Sequence, residues 1–200
     1  RSLNRLDIRT GAVQKLCALT RGLGGAWSSA DTIVFSDEGS GLHRIASTGG
    51  EPRLVLGLDP ALGEDEFRSP SMIDDRTFLF FAQTASAETT GVYAADLDGR
   101  RHGSKAIATP SNAVFVAPDL VLYLTAEGMV LTHAFRSALV DGRTLVAQRF
   151  DTSRFRPVGE PVAIAEGGFE WANVSASATG VLTYRKTAGY PQTQLAWFDR

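Results

Sequence analysis

The sequence lacks several features that would point to particular protein classes. Its 200 residues include a single cysteine, Cys17, which excludes an internal disulfide and a zinc site built from cysteine pairs. No apolar run approaches the roughly 18 residues of a membrane-spanning helix, so we expect no membrane insertion. A basic excess is also missing, because 20 Lys and Arg stand against 22 Asp and Glu. We therefore predict no nucleic-acid partner.

Short strand-like runs dominate what is present, and amphipathic helical spacing is scarce. Hydrophobic residues make up 44% and charged residues 21% of the chain, which is typical of a folded domain. Runs of β-branched, aromatic and aliphatic residues follow turn-like segments rich in Asp, Gly and Pro. Four such runs lie at 32–35, 77–81, 120–123 and 181–184. A second set follows them at 42–45, 92–95, 145–148 and 195–198, with 3–6 in the same role at the start.

The runs repeat at a fixed interval. Asp31, Asp75 and Asp119 are each 44 residues apart, whereas Thr179 follows Asp119 by 60 residues. About 15 extra residues near 129–143 account for the difference; we favour an added strand and loop over a short helix there. A repeat of about 40–45 residues with four strands is typical of a β-propeller blade, and sandwiches or barrels have no reason to repeat at this length.

We therefore predict an all-β chain, a β-propeller of four-stranded antiparallel blades with about four blades present. The expected repeats are 1–21 and 169–200, both partial, and 22–66, 67–110 and 111–168 between them. A partial propeller, cut from a larger one, is favoured over a closed four-bladed ring in which the two ends share one blade. An open arc has unpaired strand edges, so pairing with another copy of the chain is a possible mode of association.

No assembled catalytic set is visible in the sequence. There is no G-x-S-x-G nucleophile motif, and His43, His102 and His133 are scattered along the chain. There is no H-E-x-x-H motif, and the Asp-Leu-Asp-Gly segment at 96–99 is assigned to a tight turn rather than to a calcium loop. We therefore predict no catalytic residue, no metal and no cofactor, and we expect that the chain is not an enzyme.

Large aromatic residues are the remaining candidates for a binding surface. Trp27 and Trp171 occupy similar places just ahead of the predicted innermost strand of their repeats. Phe67 and Phe115 stand near the same place in the two repeats between them. In a propeller this place lies toward the mouth of the channel, so we predict a binding role for these four residues. The favoured alternative is packing between neighbouring blades.

Several short motifs resemble a known family. They are Ser-Thr-Gly-Gly-Glu-Pro at 47–52, Val-Gly-Glu-Pro-Val at 158–162, and the segment 175–185 closed by 195–200. Together they resemble the bacterial WD40-like (PD40) repeats of TolB-type propellers, in particular those at the C-terminal end of bacterial serine/threonine protein kinases. The Ser-Pro-Asp-Gly signature of that family is eroded here, for example to Ser-Ser-Ala-Asp at 28–31.

The resemblance implies a function in binding. It favours a non-catalytic module for a protein, peptide or small ligand, within a larger sensor or scaffold protein. The alternative is the propeller portion of an enzyme, with a hydrolase or lyase site at the channel or a gating role in a serine peptidase. It also favours an extracytoplasmic or periplasmic location, with a cytoplasmic one left open.

Overall fold

The computed structural model describes residues 1–125, 144–166, 174–177 and 181–185 of the chain. In these ranges the regular structure is β-strands and one 3₁₀ turn, Pro60–Leu62, which confirms the predicted all-β class. The strands are β1 Ser2–Leu6, β2 Val13–Ala18, β3 Gly22–Trp27, β4 Thr32–Asp37, β5 Gly41–Ala46, β6 Arg53–Leu56, β7 Glu64–Met72, β8 Thr77–Thr84, β9 Gly91–Asp96, β10 Val114–Val116, β11 Leu120–Leu124, β12 Thr144–Asp151, β13 Arg156–Glu166, β14 Val174–Ala176 and β15 Leu182–Tyr184. No helix in the described part of the chain has the length and hydropathy needed to cross a membrane.

The strands form five antiparallel sheets in which sequence neighbours pair. Sheet 1 is β1–β2, sheet 2 is β3 to β6, sheet 3 is β7 to β9, sheet 4 is β10 to β13 and sheet 5 is β14–β15. The segment after β9 continues sheet 3 through isolated bridges from Arg101 to Ala95 and from Ile107 to Val92. The predicted extra segment near 129–143 and the predicted strand at 195–198 lie outside the described residues.

Consecutive sheets stack face to face because apolar residues alternate along the strands. On β8, Phe78 and Phe80 pack toward sheet 2, while Leu79 and Phe81 pack toward sheet 4. The cluster between sheets 2 and 3 contains the buried residues Val34, Leu42, Leu56, Phe67, Phe78, Phe80, Ala82, Ala95 and Leu97. Successive side chains of a strand point to opposite faces, so one apolar run supplies two interfaces.

A glycine lets the first strands of sheets 2 and 3 touch. Strand β7 has a register irregularity between Arg68 and Ser71, and within it Ser69 adopts φ +47°. Gly24 on β3 adopts φ +117°, and a Cβ built there would lie 2.8 Å from the Ser69 Cα and 3.0 Å from its nitrogen. Both the space and the backbone conformation therefore require glycine at position 24.

We predict that Gly24→Ala lowers the free energy of unfolding by about 3 kcal/mol, since strained backbone and overpacking each cost about 1–3 kcal/mol. The matched control is Gly39→Ala, where φ is +77° but nothing lies within 4 Å of the new Cβ. The control should cost about 1 kcal/mol, from backbone strain alone. Urea denaturation measures both values, and an equal loss in the two variants would contradict the contact with Ser69.

Candidate functional site

Each sheet has two ends that carry different side chains. Strand β3 begins at Gly22 and ends at Trp27. Gly22 pairs with Asp37, the last residue of β4, so the hairpin that joins β4 to β5 lies at the same end of the sheet as Gly22. We call the end with this hairpin the hairpin end, and the end with the turn between the first two strands of a sheet the turn end. Since the central strands β4 and β8 are buried on both faces, ligands reach these sheets at their ends and along free edges.

Three of the predicted aromatic residues, Trp27, Phe67 and Phe115, lie within first strands rather than ahead of them. Trp27 pairs with Ile33 and Phe115 with Val121, each opposite the second residue of the next strand. Phe67 instead pairs with Ala82, far from the turn end, and the equivalent of Trp27 in sheet 3 is Met72. The expected common place for the four residues was wrong in sheet 3, because the nine-residue strand β7 starts earlier than its counterparts.

These positions differ in burial. Trp27 is 51% exposed, whereas Phe67 is 1% exposed and meets the Phe80 ring edge-on at 5.0 Å. Phe115 is half-buried, with its ring centroid 6.2 Å from that of Phe150. Trp171 lies outside the described residues. Phe67 therefore packs inside the fold, while Trp27 presents a large aromatic surface at the turn end.

The turn that follows Trp27 is tied to the neighbouring sheet. The hydroxyl of Ser29 and the backbone N–H of Ala30 both donate to the Asp75 carboxylate, the latter at 3.2 Å. Asp75 lies in the turn between β7 and β8. The repeated Asp seen in the sequence thus links the turn ends of sheets 2 and 3 and holds the segment next to Trp27 in place.

The hairpin end of sheet 2 brings together a serine and a histidine. The Ser40 Oγ lies 2.9 Å from the His43 Nε2 and 3.2 Å from the Asp37 backbone oxygen. The His43 ring stacks on the Phe35 ring, with centroids 5.6 Å apart and an interplanar angle of 21°. Burial lowers the pKa of His43 from its usual 6.5, and the Asp37 charge opposes that shift. The imidazole is therefore neutral at pH 7.

Charged groups surround this pair. The Asp37 carboxylate accepts the backbone N–H groups of Thr20 and Arg21 at 2.8–3.2 Å, so it fixes the segment that enters β3. The Arg21 guanidinium pairs with Glu38 at 2.8 Å, and both side chains are exposed. The hairpin end therefore carries charged groups beside the Ser40–His43 pair, while the turn end combines polar groups with the exposed aromatic surface of Trp27.

The Ser40–His43 pair was not predicted from the sequence, because the serine motif expected there is a nucleophile elbow between a strand and a helix. The available signal was the hairpin itself: Gly39 and Gly41 flank the serine, and a tight turn brings residue 40 close to residue 43. A metal site is not formed in the described ranges, where no three His, Cys, Asp or Glu side chains cluster suitably.

Solved structures of known proteins share this architecture. Regucalcin from Agrobacterium tumefaciens, described as a calcium-binding protein, matches with a TM-score of 0.56 and 16% sequence identity over 93% of this chain and 60% of that chain. Oligogalacturonate lyase in complex with manganese matches with a TM-score of 0.52 and 11% identity over 90% of this chain and 62% of that chain. Both neighbours are β-propellers. The fold of this chain is a β-propeller. The five sheets in the described ranges are its blades 1 to 5, in the order of the sheets.

The comparisons reach the fold and no further. At these identities the match shows the propeller architecture alone, and the chain spans about three fifths of the length of each neighbour. No protein-family model and no curated protein matches the sequence. The expectation that the chain is not an enzyme is contradicted, since one propeller neighbour is named as a lyase and the absence of sequence motifs does not separate this chain from enzymes of the same fold.

A buried ion pair lies within blade 3 and joins the start of β7 to the segment that follows β9. The Arg101 guanidinium donates to both carboxylate oxygens of Glu64, at 2.5 and 2.9 Å, and the Glu64 side chain is 3% exposed. The guanidinium carbon also lies 5.1 Å from the Phe67 ring centroid and 5.8 Å from that of Phe80. Glu64 further accepts the backbone N–H of Asp59 at 2.9 Å, so this pair anchors the start of β7.

We predict that Arg101→Met lowers the free energy of unfolding by about 3–5 kcal/mol, because it leaves the Glu64 carboxylate buried without its cation. Arg76→Met is the matched control, since it breaks the exposed pair between Arg76 and Asp98 and should cost less than about 1 kcal/mol. Chemical denaturation of both variants checks this difference. Similar losses in the two variants would mean that Glu64 is well solvated.

Proposed function

We propose that this chain is a ligand- or protein-binding segment of a larger β-propeller protein. Its contact surface is the turn end of blade 2, centred on Trp27, and its partner is a protein or peptide. The proposal keeps the binding role predicted for Trp27. It assigns Phe67 to packing.

The exposure of Trp27 carries this proposal. The equivalent residues of blades 3 and 4, Met72 and Phe115, pack against the clusters between blades, whereas half of the Trp27 surface stays in contact with solvent. Tryptophan is enriched among the few residues that supply most of the energy of protein interfaces. An exposed tryptophan at the end of a paired strand is therefore a suitable anchor for a partner.

The surroundings of Trp27 support the same role. Its backbone pairs with Ile33, and Asp75 of blade 3 binds the turn that follows it. A side chain on such a supported backbone loses less conformational freedom on binding than one on a mobile loop. The turn end is thus preorganised for contact.

The wider setting follows from the family resemblance. Repeats similar to PD40 repeats of the TolB type point to a sensor or scaffold protein, and the kinase-attached propellers place such a module in an extracytoplasmic or periplasmic compartment. We propose this setting for the parent protein. The second candidate is the propeller portion of an enzyme, and the Ser40–His43 pair at the hairpin end is the observation that favours it.

The binding proposal predicts a dependence on Trp27 that a random peptide library displayed on phage can measure. Peptides enriched on the purified chain should bind Trp27→Ala at least about tenfold more weakly, because losing an interface tryptophan costs more than about 1.4 kcal/mol. Binding should persist in Leu54→Ala, which removes an apolar side chain of similar exposure, 59%, from the same blade. The melting temperature should change little in either variant, since both side chains are exposed.

Two results would overturn the proposal. One is the absence of enriched peptides, or enriched peptides that bind Trp27→Ala as well as the original chain. The other is a fall of many degrees in the melting temperature of Trp27→Ala, which would assign Trp27 to packing, as Phe67 is.

A further inference from the structure

The hairpin end of blade 2 holds a serine and a histidine in the arrangement that activates a hydroxyl. We propose that Ser40 is a nucleophile that accepts an acyl group from an activated ester, with His43 as its general base. This inference is independent of the binding proposal, because it concerns the opposite end of the blade.

The distance and the accessibility of the pair support this chemistry. A separation of 2.9 Å between Ser40 Oγ and His43 Nε2 lies within the range in which a base takes a proton from a nucleophile. Ser40 is exposed at the tip of the hairpin, while His43 is half-buried on β5. The nucleophile therefore faces solvent and the base is held by the sheet.

The turn that carries Ser40 requires its glycines. Gly41 adopts φ +103°, and a Cβ there would lie 2.1 Å from the Leu56 backbone oxygen. Gly39 adopts φ +77°. The Phe35 ring packs against the His43 ring, so the orientation of the imidazole is also restricted. The hairpin thus brings Ser40 next to the imidazole in the absence of a substrate.

The proton balance of the step is simple. With its own proton on Nδ1, His43 presents the Nε2 lone pair to the Ser40 hydroxyl. As the Ser40 oxygen bonds to the ester carbonyl carbon, its proton passes to Nε2. The bond from that carbon to the leaving oxygen then breaks, and the departing alcohol takes the proton from Nε2. The products are acyl-Ser40 and the alcohol, and His43 returns to its neutral form.

Asp37 tunes the pair without completing a triad. Its carboxylate accepts the N–H groups of Thr20 and Arg21, while its backbone oxygen offers Ser40 a second acceptor at 3.2 Å. Among the described residues, Asp37 is the charged group that acts on His43, and the residues paired beside His43 are the apolar Phe35 and Leu54. A dyad of this kind supplies base catalysis and calls for a reactive ester.

The test uses p-nitrophenyl acetate as the probe, with mass spectrometry of peptides from the labelled chain. We expect one acetyl group on Ser40, formed at least about tenfold faster than on other exposed serines such as Ser86, since base catalysis contributes about 10²-fold or more. His43→Phe should remove this excess while keeping a ring against Phe35, and Ser40→Ala should abolish the label. His102→Phe is the matched control and should leave the labelling of Ser40 unchanged.

The pH profile provides a readout that needs no variant. Because burial lowers the pKa of His43, the neutral imidazole is present above a midpoint that lies below 6.5. The rate of Ser40 labelling should therefore rise with pH, pass through an inflection below pH 6.5 and then reach a plateau. Labelling of Ser40 at the rate of Ser86, equal labelling in His43→Phe, or a rate that rises through pH 8 without an inflection would each overturn the proposal.

Discussion

Face-to-face packing between consecutive sheets is the constraint on which the rest of this structure depends. An isolated two-stranded hairpin is at best marginally stable, and blades 2, 3 and 4 are each stabilised by apolar side chains on both of their faces. Strand β8 shows the principle, because Phe78 and Phe80 pack on blade 2 while Leu79 and Phe81 pack on blade 4. The same packing brings backbones together, which is why Gly24 faces Ser69. It also buries Glu64, whose charge Arg101 of the same blade neutralises.

Burial of both faces also decides where function can lie. Chemistry-bearing side chains are left at the two ends of the blades, and in blade 2 these ends differ in character. The hairpin end presents Ser40 beside His43 with charged neighbours, whereas the turn end presents Trp27 beside the Ser29–Asp75 link. Strands β4 and β5 connect the two ends through a regular ladder, so each end is positioned by the same packed core.

The sequence was sufficient for the fold because alternation and turn chemistry repeat along it. The runs predicted at 32–35, 77–81 and 120–123 coincide with the buried second strands of blades 2, 3 and 4, since each follows an Asp-containing turn. The site was less predictable. Phe67 was predicted to lie at a position equivalent to Trp27. Its position along the repeat does not reveal that β7 is nine residues long with two register shifts, which move the phenylalanine into the core. Ser40 and His43 meet only through the geometry of a hairpin, which no linear motif records.

The absence of a familiar catalytic motif is weak grounds for excluding catalysis in a propeller. Blades are built from hairpins, so their reactive groups are brought together across turns and between neighbouring blades, at spacings that differ from one blade to the next. In blade 2 the contact between Ser40 and His43 is made across a hairpin turn whose backbone needs the glycines at 39 and 41, and no strand-to-helix elbow is involved. A neutral imidazole packed on Phe35 is then a base available to whatever reaches the hairpin end. The binding proposed for Trp27 and the reactivity proposed for Ser40 therefore concern opposite ends of one blade, and a parent protein that uses either end needs no rearrangement of the other.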